Sequence, residues 1–420
     1  MKATVTQNTY SSMTPWKMLA WLFATQVLVA FVGRSLAPLG VLIGHDLSLT
    51  KAQIGMLPAA LFLGQSIAAI PVGYVTDQLG SKRLLLALAV CLGASFMFMT
   101  LTSFFILVLI MITVGGLGYG AMHPVSNRGI MYWFTARTRG TAMGIKQMGV
   151  TLGSALAALV LLPLANAFGW RPVLLGAGLL LIVVGYLTYL FYYDPPRENE
   201  IRKTNRGGFF ASMKVMLRHK PLLLVSLAAV GLQGSQMMLN TYLVLFAYEK
   251  LAISLVLAGV LLVISEIGGS FGRVGWGVIS DRIFNGRRLI ILMLISIFAG
   301  FISIVISQLP TGTSFGVMAV ITFIFGFCIA GFNGVWMNAA TELVPREQSG
   351  AASGFSIMIG SWGVILGPPL FGLIVDKTGS FSAGWIFLSG ILIVVIMLLL
   401  VAMTLVKKTN DNPKPSQLNY

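Results

Sequence analysis

Three charged residues lie deep inside long apolar runs of this 420-residue chain, away from the ends of the runs: Arg34, Lys146 and Glu266. A charge at the centre of a membrane span costs about 2.5–3.5 kcal/mol, so such residues mark candidate functional sites. The planar guanidinium group of Arg34 matches a carboxylate, and Lys146 adds a second cation. This pair predicts a binding site for a small organic anion. The alternatives are structural ion pairs with an acid and snorkelling of the long side chains to the membrane surface.

Glu266 is the only acid deep inside a predicted span. A carboxyl group removed from water can hold and release a proton near neutral pH, which a proton-coupled carrier requires. We therefore expect Glu266 to carry the coupled proton, with a static ion pair to Arg34 or Lys146 as the alternative. Histidine side chains in general can titrate near neutral pH, but for His123 a histidine hydrogen-bonded within the core is the favoured interpretation.

Several uncharged polar and aromatic residues share these apolar runs and could orient hydroxyl or carbonyl groups of a substrate. Gln236 and Asn240 are four residues apart, so they lie on one face of a helix. Hydrogen bonding between helices is the alternative role for all of them. The residues expected to line the cavity are Tyr119, Gln147, Gln236, Asn240, Tyr242, Asn333 and Trp336.

The composition excludes a soluble protein. Hydrophobic residues make up 57% of the chain and charged residues 10%, whereas soluble proteins carry about 25% charged residues. A soluble globule this apolar could not cover its surface, so a soluble enzyme or a nucleic-acid-binding protein is excluded. No set of Cys, His and acidic residues has metal-site spacing, and no nucleophile–base set stands out. We therefore expect no enzymatic activity, no metal and no cofactor.

A membrane-spanning helix needs about 20 mostly apolar residues, and the chain contains twelve such runs. Together they predict an all-α integral membrane protein with twelve transmembrane helices. The predicted spans are 16–43, 51–76, 84–102, 105–133, 141–167, 171–193, 222–247, 252–279, 289–307, 313–341, 351–374 and 381–406.

The distribution of basic residues predicts the orientation of the chain. With the N-terminus inside, the outward-facing segments hold only Lys51, Arg171, Lys250 and Lys377. Because cytoplasmic segments collect Lys and Arg, both termini are expected in the cytoplasm, and the net charge of +16 reflects topology rather than nucleic acid. The expected divisions are a six-helix bundle over 1–193, a cytoplasmic linker over 194–220, a second bundle over 221–406 and a cytoplasmic tail over 407–420.

A short motif recurs in the two halves of the chain. The second span ends in Gly73-x-x-x-Asp77, and the eighth ends in Gly277-x-x-x-Asp281; both are followed by glycine and paired basic residues. Similar motifs at corresponding places indicate an internal repeat. The segment from Gly73 to Arg83 resembles the signature between the second and third spans of the major facilitator superfamily. The resemblance implies two pseudo-symmetric six-helix bundles that work by alternating access.

The same resemblance implies that the residues of this motif at the cytoplasmic helix ends form a gate. The alternative is a charge cluster that only determines the membrane topology. In that family the carboxylate matched by Asp77 helps to hold the outward-open state against the start of the eleventh span, and Asp281 is its counterpart in the other half. The expected gating residues are Gly73, Asp77, Gly80, Lys82, Arg83, Arg128, Asp281 and Arg282.

A narrower resemblance lies in the first and fourth spans. Gly33-Arg34 and the segment from Pro124 to Arg128 are similar to the anion:cation symporter branch, whose members carry organic carboxylates with protons. There an arginine in the first span contacts the substrate carboxylate, and Arg34 matches it. The chain departs from the branch at Gly33, where members often have an acid, and in the middle of the fourth span, where many have an acid and this chain has Tyr119 or its neighbours.

These observations predict a secondary transporter of the cell inner membrane that takes up a small organic anion by proton symport. The expected partners are the anion, protons and membrane lipid, without nucleic acid, and the expected state is a monomer. One alternative is a proton-coupled efflux antiporter for amphipathic compounds. Another is a membrane sensor that does not transport.

Overall fold

The computed structural model describes residues 14–194, 215–345 and 348–411, and its regular structure within these ranges is helical. Fifteen helices are named here in chain order. They are α1 Thr14–Gly33, α2 Leu36–Asp46, α3 Lys51–Leu79, α4 Ser81–Met99, α5 Phe105–Trp133, α6 Ala136–Leu156, α7 Leu162–Phe168, α8 Trp170–Phe191, α9 Lys220–Glu249, α10 Leu255–Arg282, α11 Arg288–Ser307, α12 Phe315–Ile329, α13 Asn333–Glu342, α14 Ser349–Thr378 and α15 Phe381–Asp411.

Eleven helical stretches in the described ranges are long and apolar enough to cross a membrane. Helix α3, with 29 residues, lies between the first and second of these and completes twelve. Three spans are built from two helices each: α1 with α2, α6 with α7, and α12 with α13. Every predicted span overlaps one of these stretches, which confirms the twelve-helix prediction.

The first span is interrupted where α1 ends at Gly33 and α2 begins at Leu36. The amide of Arg34 still bonds the Ala30 carbonyl at 2.9 Å, but the amide of Ser35 turns to Val32 at 3.2 Å. A second interruption separates α12 from α13, between Ile329 and Asn333. Interrupted helices inside a membrane occur where the chain lines a site, because the freed backbone groups need polar partners.

Close packing of helices depends on glycine at a few contacts. A Cβ at Gly153 of α6 would overlap the Val27 carbonyl oxygen of α1, and a Cβ at Gly363 of α14 would overlap the Val230 carbonyl oxygen of α9. Small residues let membrane helices approach until their backbones touch. The contact at Gly153 therefore fixes α6, which carries Lys146, against α1, which leads to Arg34.

Helix contacts divide the described chain into two compact units. The first contains 14–35 and 60–194, and the second contains 36–59 and 215–411. Helix α2 and the start of α3 therefore group with the helices of the second half. Most of the expected linker and tail, at 195–214 and 412–420, lies outside the described residues, so the boundaries of bundles, linker and tail stay predictions.

Candidate functional site

Lys146 is a buried cation on α6. Its side chain is 2% exposed, and its ammonium group lies 3.3 Å from Nδ1 of His123 and 3.1 Å from Oδ1 of Asn127. Both partners are neutral groups of α5. Within the described residues no carboxylate joins this cluster, so the positive charge is held by hydrogen bonds alone. An ammonium group has three donors, which leaves one for another acceptor.

Arg34 lies in the interruption between α1 and α2, where its Nε donates to the hydroxyl group of Tyr119 at 3.3 Å. Tyr119 is 4% exposed and also contacts the ring of Phe62 edge-on, with ring centroids 6.0 Å apart. The Tyr119 hydroxyl group is thus one hydrogen-bond partner of the guanidinium group.

Both cations bind to one face of α5. Tyr119, His123 and Asn127 follow at intervals of four residues, which places them above one another on a helix. At 1.5 Å per residue, Tyr119 and His123 are about 6 Å apart along the helix axis. Pro124 lies inside this helix, and because proline has no amide hydrogen, it cannot bond the Gly120 carbonyl within the helix. The structure thus brings Arg34 and Lys146 to adjacent turns of α5.

Two glutamines beside these turns were missed from the sequence. The Oε1 atoms of Gln26 and Gln65 are buried and lack hydrogen-bond partners within the described protein. Gln26 packs on Gly149, one turn after Lys146 on α6, and Gln65 packs on Gly120, next to Tyr119. Gln26 precedes Arg34 by eight residues, so helical spacing was the available signal.

Gln147 does not join the cluster. It follows Lys146 directly on α6, so its side chain points about 100° away around the helix, and it is exposed where Lys146 is buried. Its predicted role in the cavity remains untested.

In the second unit, the structure brings two predicted cavity residues together. The Nδ2 of Asn333, the first residue of α13, donates to Oε1 of Gln236 on α9 at 3.3 Å, and also to the Ala330 carbonyl at 3.3 Å. Asn240, one turn further along α9, is 7% exposed. A polar group therefore accompanies the interruption between α12 and α13.

Two other predicted cavity residues serve helix packing. The hydroxyl group of Tyr242 lies 2.7 Å from the Lys51 carbonyl and 2.8 Å from the Pro368 carbonyl, and the ring stacks on Phe371. The Nε1 of Trp336 donates to Oγ of Ser356 at 2.9 Å. These bonds are to groups other than Gln236 and Asn333, and the predicted roles of Tyr242 and Trp336 in the cavity stay predictions.

Glu266 lies on α10 and is 4% exposed. Its backbone carbonyl accepts a hydrogen bond from Oγ of Ser270 at 2.9 Å. One turn further along α10, Gly269 faces Ala330 in the interruption between α12 and α13. The carboxyl group is thus buried near an interrupted helix of the second unit.

The expected gating residues of the first unit lie at helix ends. A guanidinium nitrogen of Arg128 donates to the Thr76 carbonyl, near the C-terminal end of α3, where a cation is favoured. The Lys82 amide donates to Oδ1 of Asp194 at 2.7 Å, so this acid caps α4. The side chain of Lys82 lies over the ring of Tyr189, 5.0 Å from its centroid.

The structure describes the remaining motif residues of the first unit, Gly73, Asp77, Gly80 and Arg83, to different extents. Gly80 has φ +84°, a conformation that favours glycine, at the turn between α3 and α4. Arg83 is exposed. Gly73 and Asp77 lie within α3, but the Asp77 side chain is outside the described residues.

In the second unit, Asp281 binds Arg288, which also bonds Glu342 at 3.3 Å. Arg288 in addition donates to Oγ of Ser280 at 2.9 Å. Arg282 is exposed. The sequence suggested Asp281 as a gate residue, but it gave no sign that Arg288 would bind it.

The model of the Major Facilitator Superfamily matches residues 22–321 and 292–419. The chain belongs to this superfamily. As a major facilitator it is a multi-pass membrane transporter and not an enzyme, which confirms the resemblance drawn from Gly73 to Arg83.

The similar major facilitators include carriers of organic anions. The chain is 22% identical over 386 residues to the hexuronate transporter of Bacillus subtilis (strain 168), covering 89% of this chain and 91% of that protein. It is 23% identical over 448 residues to "Probable galactarate/D-glucarate transporter GudP" of the same strain, covering 99% and 98%. Among solved structures, a bacterial homolog of the human lysosomal transporter Spinster has a TM-score of 0.76 at 19% identity, covering 94% of this chain and 98% of that one. This last similarity shows the fold.

Proposed function

We propose that this major facilitator takes up a small organic anion, a carboxylate, by proton symport through alternating access. The observation that carries the proposal is the Lys146 ammonium group, which is 2% exposed and bonded to the neutral groups of His123 and Asn127. A buried charge is costly unless a counter-charge accompanies it. An anionic substrate supplies that counter-charge.

Arg34 supplies the second half of the anion site. The Nε of its guanidinium group donates to Tyr119, which lies one turn along α5 from His123 and two turns from Asn127, the partners of Lys146. Two cations bonded to neighbouring turns of one helix suit a carboxylate with a second polar or charged group. The names of the relatives, hexuronate and galactarate/D-glucarate transporters, support a substrate of this chemical class.

Glu266 carries the coupled proton in this proposal. Glu266 is 4% exposed on α10, and it is the one acid deep inside the predicted spans of the sequence. Gln236, Asn240 and Asn333 would orient the polar groups of the substrate in the second unit. Asp77 and Asp281 would gate the cytoplasmic ends, with both termini in the cytoplasm and the protein acting as a monomer.

The test is uptake by proteoliposomes that contain a pH-sensitive dye, with D-galacturonate, D-glucarate and lactate as anions and ethidium as a cationic contrast. We expect one of the carboxylates to acidify the lumen. Arg34→Gln and Lys146→Gln should each lower its transport at least tenfold, and Glu266→Gln should abolish acidification. Lys377→Gln is the matched control, because Lys377 is an exposed lysine at the end of α14.

The contrasting outcomes identify the alternatives. Alkalinisation with ethidium under an opposing gradient, together with silence for every carboxylate, would establish the efflux antiporter. Binding of a carboxylate without any flux would favour the sensor. Full transport by Lys146→Gln would show that transport does not need the Lys146 ammonium group, which would contradict the proposal.

A further inference from the structure

The contact between Lys146 and His123 restricts the protonation of the imidazole ring. The ammonium nitrogen lies 3.3 Å from Nδ1, and an ammonium group can only donate a hydrogen bond. Nδ1 must then offer its lone pair, so the ring is neutral and carries its hydrogen on Nε2 while this bond exists. The sequence interpretation of His123 as a core histidine did not include this cationic partner.

The charged and titratable neighbours of His123 come from several helices. Lys146 on α6 bonds the ring, and Arg34 in the α1–α2 interruption bonds Tyr119. Tyr119 stands one turn away on α5 itself. The helices α3 and α4 bring Gln65 against Gly120 and Cys91 against Gly118, and neither is charged. The charged side chain that the structure shows bonded to the ring is therefore a cation, Lys146.

We propose that His123 binds a proton when an anion binds at Lys146 and Arg34, and releases the proton when the anion leaves. This inference rests on the anion site proposed above and adds a second proton-binding residue to Glu266. It assigns His123 a role in the coupling of substrate to protons that neither the fold nor the comparisons give it.

The exchange balances in atoms and charge. When the substrate binds, the Lys146 N–H that donated a hydrogen bond to Nδ1 donates one to the substrate carboxylate instead. The freed lone pair of Nδ1 takes a proton from water on the open side. The negative charge of the carboxylate favours the imidazolium form, because an opposite charge nearby stabilises a charged group. Release of the anion restores the Lys146–His123 bond and returns the proton to water. Anion and proton thus increase each other's affinity by the same factor.

One experiment tests the pair without any substrate. In purified protein with ¹³C-labelled histidine, NMR reports the fraction of His123 that is imidazolium, with the signal assigned by its loss in His123→Gln. We expect Lys146→Gln to raise that fraction at pH 6 about threefold or more over wild type, because a positive neighbour has been removed. His45 and His219 serve as internal controls and should not change. An unchanged fraction for His123 would overturn the proposal.

A second experiment follows the proton during anion binding. D-Galacturonate is added to the purified protein in weakly buffered solution with a pH dye, and the affinity is measured by calorimetry from pH 5.5 to 8. Wild type should take up protons and lose affinity severalfold at high pH. His123→Gln and His123→Asn should bind the anion with a flatter pH profile and take up fewer protons. His45→Gln is the control.

The outcomes separate this inference from the proposed function. Anion binding that depends on Lys146 but keeps its full proton uptake in both His123 variants would overturn the role of His123 and leave the anion site standing. Loss of binding in every Lys146 variant and an unchanged His123 signal would likewise count against His123 alone. Absence of D-galacturonate binding in wild type would count against that substrate, while the NMR comparison would still decide the role of His123.

Discussion

The ring of Tyr119 packs against the backbone of Gly33, so closely that a Cβ on Gly33 would overlap ring atoms Cδ2 and Cε2. The next residue, Arg34, donates to the hydroxyl group of the same ring. The missing side chain of Gly33 thus makes room for the aromatic ring, and the hydroxyl group of that ring is placed to bond the neighbouring arginine.

This contact predicts that Gly33→Ala destabilises the protein by about 1–3 kcal/mol, the usual cost of overpacking. Tyr119→Ala should relieve the overlap, so the double variant should be more stable than the sum of the two single changes predicts. Thermal unfolding in detergent measures both effects. Gly140→Ala on α6 is the control, because a Cβ there meets open space. Simple additivity would show that the two positions are independent.

The hydroxyl group of Tyr119 has its own expected effect. Tyr119→Phe removes only the bond to Nε of Arg34, whose net worth is about 1 kcal/mol. We expect about a fivefold rise in KM for the transported carboxylate and a fall of no more than a few degrees in Tm. Tyr189→Phe, which changes a ring beside Lys82 rather than Arg34, is the matched control. An unchanged KM would separate the tyrosine from substrate binding.

Asp376 stabilises the start of α3 within the second unit. Its two carboxylate oxygens accept hydrogen bonds from the backbone amides of Lys51 and Ala52, each at 2.8 Å. An acid at a helix N-terminus satisfies free amides and complements the helix dipole. Asp376→Asn should therefore lower stability by about 1 kcal/mol, seen as a fall of a few degrees in Tm. Neutralisation of the neighbouring Lys377 should leave Tm unchanged, and an equal fall there would point to a general charge effect.

The cluster of Arg288 with Asp281 and Glu342 should add little stability. The side chains of the two acids are 62% and 52% exposed, and exposed ion pairs contribute about 0–1 kcal/mol. A double-mutant cycle with Arg288→Gln and Asp281→Asn should give a coupling in that range at low salt and a smaller one at 0.5 M salt. A coupling above about 2 kcal/mol that ignores salt would assign the cluster a larger structural role.

Packing glycines should respond according to their surroundings. Gly363→Ala places a methyl group on the Val230 carbonyl oxygen at the contact of α14 with α9. We expect a loss of at least about 1–3 kcal/mol and poor recovery of folded protein by size-exclusion chromatography. Gly354→Ala on the same helix meets no atom within 4 Å and should be tolerated. Equal behaviour of the two variants would contradict the close approach of these helices.

The sequence predicted the spans well, because a run of about 20 apolar residues has few alternatives in a membrane. It also identified Lys146 and Glu266 as buried charges, since their position within such runs does not depend on packing. It could not predict hydrogen-bond partners. Tyr242 and Gln236 lie on the same helix, α9, yet one bonds the carbonyls of Lys51 and Pro368 and the other bonds Asn333.

The contact of His123 with Lys146 could not be predicted from the sequence either. The residue type of His123 and the neighbouring Pro124 fit a packed core histidine, and nothing in the spacing along α5 reveals a lysine on α6. The rotation of one helix against another decides such contacts, and small residues such as Gly153, far along the chain, set that rotation. The helix interruption at Arg34 was likewise hidden, because Gly33-Arg34-Ser35 is compatible with a continuous helix.

Pro124 stands between the two anchor points on α5: Tyr119 on one side holds Arg34, and Asn127 on the other holds Lys146. A proline inside a helix leaves one backbone hydrogen bond unmade, so the helix bends more easily at that point. Bending of α5 at Pro124 would increase or decrease the distance between Arg34 and Lys146. The curvature of α5 would then determine which length of anion fits and when in the transport cycle the anion is released.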